Sequence, residues 1–185
     1  MWLQSLRTFK NNPPVVGFLV EQACLSAISM TGFHHGGIKW QSFKATIFEG
    51  NLLEVIPPPG NYEIFFIPGD PFFKDIDALY VKVDPKKKTT LVVPIQITVA
   101  KKHKDSEAAF YSRWSDWQAF FEGYELKTAF VWVVENKQSW VMKTEEFRIT
   151  RNNHLKLISP EHEQIIVTVA DINVTLGSHL AAIRR

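Results

Sequence analysis

Two rhythms of apolar and polar positions divide this chain. After Pro13-Pro14 runs VVGFLVEQACLSAISM, apolar on almost every side, which predicts a largely buried helix over 14–30. Proline suits its start, where a missing N–H is harmless, and Gly32, then Gly36-Gly37, end it. Short strand candidates follow at 39–43, 45–48 and 62–67, separated by the rigid Pro57-Pro58-Pro59-Gly60. Two stronger strands, 74–83 (KDIDALYVKV) and 89–99 (TTLVVPIQITV), flank the turn Asp84-Pro85-Lys86-Lys87-Lys88. A helix is predicted over 106–123, with Ser106 as its N-cap and Glu107 in its first turn. Phe110, Trp114, Trp117, Phe121 and Tyr124 recur every three or four residues, a core stripe rather than a base-stacking platform. A buried strand at 127–135, strands near 139–150 and 164–170, and a helix near 177–184 complete an α/β pattern.

The hairpin carries the chemistry. With its turn centred between Lys86 and Lys87, Asp77 falls opposite Gln96 and Asp75 opposite Thr98. Opposed side chains lie about 5 Å apart at Cβ, close enough to share a ligand. Alternation gives one face Ile76, Ala78, Tyr80, Val93, Ile95, Ile97 and Val99, a core face. The other face carries Asp75, Asp77, Gln96 and Thr98 at one end and Leu79, Val81 and Val92 beyond. Pro94 removes a ladder donor, and a bulge there would turn Gln96 away from Asp77. Glu21, set among apolar neighbours on the first helix, is costly unless paired with a cation, and helix packing could aim it at Asp77.

Composition narrows the classes. With 185 residues, 45% hydrophobic and 22% charged, the chain is an ordered domain. Residues 1–13 read as a leader or linker end and 14–185 as a single domain. No apolar run reaches the length of a membrane span, so no membrane partner is expected. A single cysteine, Cys24, excludes a disulfide framework and a Cys-rich zinc site, and suits a reducing, intracellular compartment. A net charge of +2 excludes a histone-like protein. Any nucleic-acid contact would rest on local clusters, Lys86-Lys87-Lys88 and Lys101-Lys102-His103-Lys104. Adjacent His34 and His35 point apart with no third ligand at a useful spacing, which argues against a metal pair.

A helical Glu, a strand Asp, and an acidic or amide residue two positions before Lys on the next strand make up the PD-(D/E)XK nuclease arrangement. Glu21, Asp77, Gln96 and Thr98 resemble it. Gln96-Ile97-Thr98-Val99-Ala100-Lys101-Lys102-His103 also resembles the Gln-x-Thr-x(4)-His pattern of the nuclease-like C-terminal domains of Crinkler effectors and retrotransposon hot spot proteins. The likeness covers roughly 14–135. It implies a restriction-endonuclease-like core, with a central mixed sheet and an antiparallel hairpin flanked by helices.

The resemblance also implies a metal-dependent effector or toxin domain that hydrolyses double-stranded DNA in the nucleus of a target or host cell. Such a domain often follows an N-terminal NTPase module, and cutting both strands would call for a homodimer. Mg²⁺, or Mn²⁺, would rest on Asp77, Gln96 and Glu21. Thr98 stands where the pattern has lysine, so Lys102 or His103 would have to supply the missing charge. Six extended residues from Gln96 to Lys102 span roughly 20 Å, so that substitution requires a sharp bend after Val99. Lys86, Lys87, Lys88, Lys101 and Lys104 would grip phosphates. The alternative is a catalytically degenerate domain of the same fold that binds nucleic acid or protein.

Overall fold

The computed structural model describes residues 2–70, 76–99, 106–137, 140 and 160–183. Its centre is a mixed six-stranded sheet in the order β3-β4-β5-β6-β7-β8. These strands are β3 (Thr46–Phe48), β4 (Tyr62–Pro68), β5 (Ala78–Asp84), β6 (Thr89–Thr98), β7 (Glu125–Val134) and β8 (Glu163–Thr168). β4-β5-β6 is an antiparallel meander, whereas β3-β4, β6-β7 and β7-β8 are parallel pairs. β1 (Phe33–His35) and β2 (Ile38–Trp40) form a separate antiparallel hairpin. The helices are α1 (Trp2–Thr8), α2 (Pro13–Thr31), α3 (Leu52–Val55), α4 (Ser106–Tyr111), α5 (Trp114–Phe120), α6 (Val169–Ile172) and α7 (Val174–Ile183).

The β5–β6 hairpin has the predicted register, with Ala78 opposite Ile95 and Tyr80 opposite Val93. Pro94 sits opposite Leu79 without a slip. On its other side β6 keeps one register against β7 before and after the proline, from Val92↔Thr128 to Ile95↔Val131. The Thr128 hydroxyl donates to the Val92 carbonyl at 2.7 Å beside that interruption.

Alternation along β5 and β6 sends side chains into two cores, because helices cover both faces of the sheet. Ala78, Tyr80, Val93, Ile95 and Ile97 join Val16, Val20, Cys24 and Ile28 of α2, with Leu176 and Leu180 of α7. Leu79, Val81, Val83 and Val92 join Phe110, Trp114, Trp117 and Phe121 from the predicted aromatic stripe. Burying such side chains is worth roughly 1.5–3 kcal/mol each.

Four expectations change. Ile76 packs in the second core and not with Ala78, because the chain bends at Asp77 and breaks the alternation there. The helix foreseen over 106–123 is two helices. The Ser112 hydroxyl takes the Ala109 carbonyl at 2.7 Å, and Arg113 N–H reaches only Phe110 O at 3.3 Å, so the ladder ends at that point. By length and composition, the 19-residue α2 is long and apolar enough to cross a membrane; here its buried residues close the first core. Finally, the segment read as a leader includes α1, whose Leu6 lies fully inside that core. The strand expected at 139–150 lies outside the described residues apart from Trp140.

Candidate functional site

α2 packs beside the end of β6, where a Cβ on Gly17 would stand in ordinary contact, 3.9 Å from Val99 Cγ2. One turn further along α2, Glu21 faces the same end of the sheet. It is partly buried and accepts a hydrogen bond from Gln22 Nε2 at 3.2 Å. Burial raises its pKa, with the Gln22 amide opposing. Burial, with added repulsion from Glu21, pushes the neighbouring Cys24 thiol up to about 12.

Asp77 occupies the bend before β5. Its N–H donates to Ile95 O at 2.9 Å, which ties the bend to β6. Gln96 Nε2 and the Ile97 N–H both donate to one carboxylate oxygen, Oδ2, each at 2.6 Å. Even so, burial first and the Glu21 charge second push the Asp77 pKa up to about 8. The two carboxylates therefore feel one another across the α2–sheet contact, and the cluster has a deficit of positive charge.

Gln96 is 7% exposed, and its Oε1 is buried without a partner. Leaving such an acceptor unmet costs about 1–3 kcal/mol. Two carboxylates and an unmet amide oxygen make a hard donor set of the kind that suits Mg²⁺ or Mn²⁺. Among the described residues there is no group of three or more His, Cys, Asp or Glu side chains able to hold a metal. An ion here would thus rest on Glu21, Asp77, the Gln96 carbonyl and retained water, within the habit of Mg²⁺.

Thr98 is buried two residues beyond Gln96 and pairs with Val134 of β7. Lys101, Lys102, His103 and Lys104 lie outside the described residues. Lys86, Lys87 and Lys88 form the exposed tip of the hairpin. Asp84 Oδ1 accepts from Lys86 N–H and Lys87 N–H, both at 3.1 Å, and Lys87 Nζ pairs with Asp84 Oδ2 at 3.7 Å. The tip is eight strand residues from Gln96, roughly 26 Å at ~3.3 Å per residue. It is not part of the carboxylate cluster.

Sequence reasoning missed a second polar centre. Glu107 of α4 is 5% exposed. Its Oε1 meets His162 Nε2 at 2.6 Å, while its Oε2 accepts from Trp132 Nε1 at 3.2 Å and from Gln164 Nε2. His162 is fixed in turn by Pro160 O at 2.8 Å from Nδ1, and by the Tyr111 ring 4.1 Å away. Burial alone would raise the Glu107 pKa, but His162, Trp132 and Gln164 together hold it below the ordinary carboxylate value. The available signal was His162-x-Gln164, two polar side chains spaced two apart across the start of β8.

No protein-family model, no curated protein and no solved structure matches this chain.

Proposed function

We propose that the chain is a metal-dependent nuclease-like domain of restriction-endonuclease-like architecture that hydrolyses DNA phosphodiester bonds as an effector or toxin. One observation carries the reading: Asp77 is hydrogen-bonded to Gln96, lies in the field of Glu21, and is left short of positive charge beside an unmet amide oxygen. Mg²⁺ or Mn²⁺, when bound, would polarise the phosphate and offset its charge. Asp77 and Glu21 would supply the charged ligands. Ile97 N–H and Gln96 Nε2 would hold the Asp77 carboxylate in one orientation, so that its second oxygen serves the ion. A duplex partner, a homodimer for double-strand cleavage, an N-terminal NTPase module and a nuclear, intracellular setting belong to the same proposal.

The test is cleavage of supercoiled plasmid and of single strands with Mg²⁺ or Mn²⁺, against a chelator control. Metal-dependent cutting that Asp77→Ala and Glu21→Gln abolish supports the proposal. Absence of cutting under every metal condition overturns it.

A second reading has its own support. Thr98 carries no charge where the nuclease pattern has lysine, and the cluster contains two carboxylates rather than three. A degenerate domain would bind nucleic acid or protein without turnover. It would retard DNA in a gel without cutting it, and Asp77→Ala would leave that binding intact or tighter.

A further inference from the structure

The two polar centres come together on one pair of strands. β6 and β7 run parallel, with Gln96 opposite Trp132. Along them Val92, Phe130, Trp132 and Val134 point into the second core, and Ile95, Ile97, Val131 and Val133 into the first. Alternation therefore puts the Gln96 and Trp132 side chains on the same face, one strand spacing apart, about 4.8 Å. Both are buried, so neither can turn out into solvent.

Each is fixed by a carboxylate, but not equally. Gln96 Nε2 donates to Asp77 Oδ2 at 2.6 Å. That is the one hydrogen bond on its amide, because Oε1 is buried and unmet. The terminal torsion of a glutamine is soft, so packing must do the rest of the aiming. Trp132 is clamped harder. Its Nε1 donates to Glu107 Oε2 at 3.2 Å, and its ring lies 4.9 Å from that of Phe130 and 4.7 Å from that of Trp140. Glu107 is held in turn by His162 Nε2 at 2.6 Å and by Gln164. The amide thus stands between Asp77 on the β5 side and a locked indole on the β7 side.

We propose that Trp132, anchored by Glu107, is a positioning residue for the Asp77 site. It acts through Gln96, keeping that amide on Asp77 and its oxygen in one place for a cation. The proposal rests on the cation site read at Asp77, and its first readout is taken without metal, so that the two can fail separately.

The experiment follows the Gln96 side-chain NH₂ signal by nitrogen-15 NMR in chelator, assigned by its loss in Gln96→Ala, and then Mn²⁺ affinity by calorimetric titration. Trp132→Phe removes the indole N–H and part of the ring. It should shift or broaden the Gln96 signal and weaken Mn²⁺ binding about tenfold. Trp117→Phe is the same change in the same core, at a ring packed on Phe110 and Phe121. It should leave both readouts at their wild-type values, which separates positioning from general loosening of the core. Glu107→Gln keeps an oxygen for the Trp132 N–H and should also retain both. A Gln96 signal that ignores Trp132→Phe overturns the proposal. So does an equal response to Trp117→Phe or Glu107→Gln, or a signal that moves while Mn²⁺ affinity stays unchanged. Wild-type protein that takes up no Mn²⁺, with a Gln96 signal that still answers to Trp132→Phe alone, overturns the cation reading and upholds the positioning of the amide.

Discussion

Asp77 and Glu107 are both carboxylates drawn out of water next to the central sheet, yet their surroundings push them in opposite directions. Glu107 receives His162, Trp132 and Gln164, and its pKa falls below normal. Asp77 receives Gln96 and the Ile97 N–H, but the charge it faces is another carboxylate, Glu21, and its pKa rises to about 8. The Glu107 centre is complete and resembles internal scaffolding that ties α4 to β7 and β8. The Asp77 centre is incomplete without a proton or a cation, and that deficit is what makes it a candidate site.

The largest effect should come from breaking the complete centre. Glu107→Ala leaves His162, Trp132 and Gln164 without their shared acceptor. It should cost about 3–5 kcal/mol of folding stability, read from urea unfolding. Asp77→Ala should instead lower Mg²⁺-dependent cleavage by on the order of 100-fold, while costing far less stability than Glu107→Ala. A stability loss at Asp77 as large as that at Glu107 would remove the contrast.

The pH dependence of unfolding sharpens it. Glu107 has a lowered folded pKa, so its contribution is present above the unfolded value near 4.5 and is lost as pH falls through the folded value. Asp77 has a raised folded pKa. Its carboxyl is tolerated below about 4, and stability drains away as pH rises from 3.8 toward about 8. In chelator, Asp77→Asn keeps both hydrogen-bond acceptor contacts and removes the charge. It should therefore stabilise the protein at pH 8 by about 1 kcal/mol after solvent screening, with no gain at pH 4. Thermal melts of wild type and variant at both pH values check this.

Much of the Asp77 centre was legible because it is local. The Asp84–Lys88 turn and the alternation of two apolar strands were enough to set Ala78 opposite Ile95 and to bring Asp77 to Gln96. Pro13-Pro14 and the apolar run that follows gave α2. What failed was long-range or depended on a single bend. Glu107 finds His162 and Gln164 across 55 and 57 residues of chain, and no periodicity connects them. Read alone, Glu107 was a first-turn charge on one long helix, whereas Ser112 ends that helix early. Ile76 changed core because the bend at Asp77 interrupts the two-residue rhythm on which its assignment rested. The β1 strand was missed because three residues are too few for alternation to register.

A smaller effect should follow from filling the incomplete centre. A saturating divalent cation that binds only the folded chain stabilises it by roughly 1–3 kcal/mol at tens to hundreds of times its Kd. Mg²⁺ should raise the melting temperature of wild type and Glu107→Gln alike, and leave Asp77→Ala unmoved.

Calorimetric titration of Mn²⁺ into the metal-free protein tests the central claim most directly. The account predicts saturable binding that Asp77→Ala abolishes and that Glu21→Gln and Gln96→Ala each weaken. Mn²⁺ binding that persists unchanged in Asp77→Ala, or wild-type protein that takes up no ion, would contradict it.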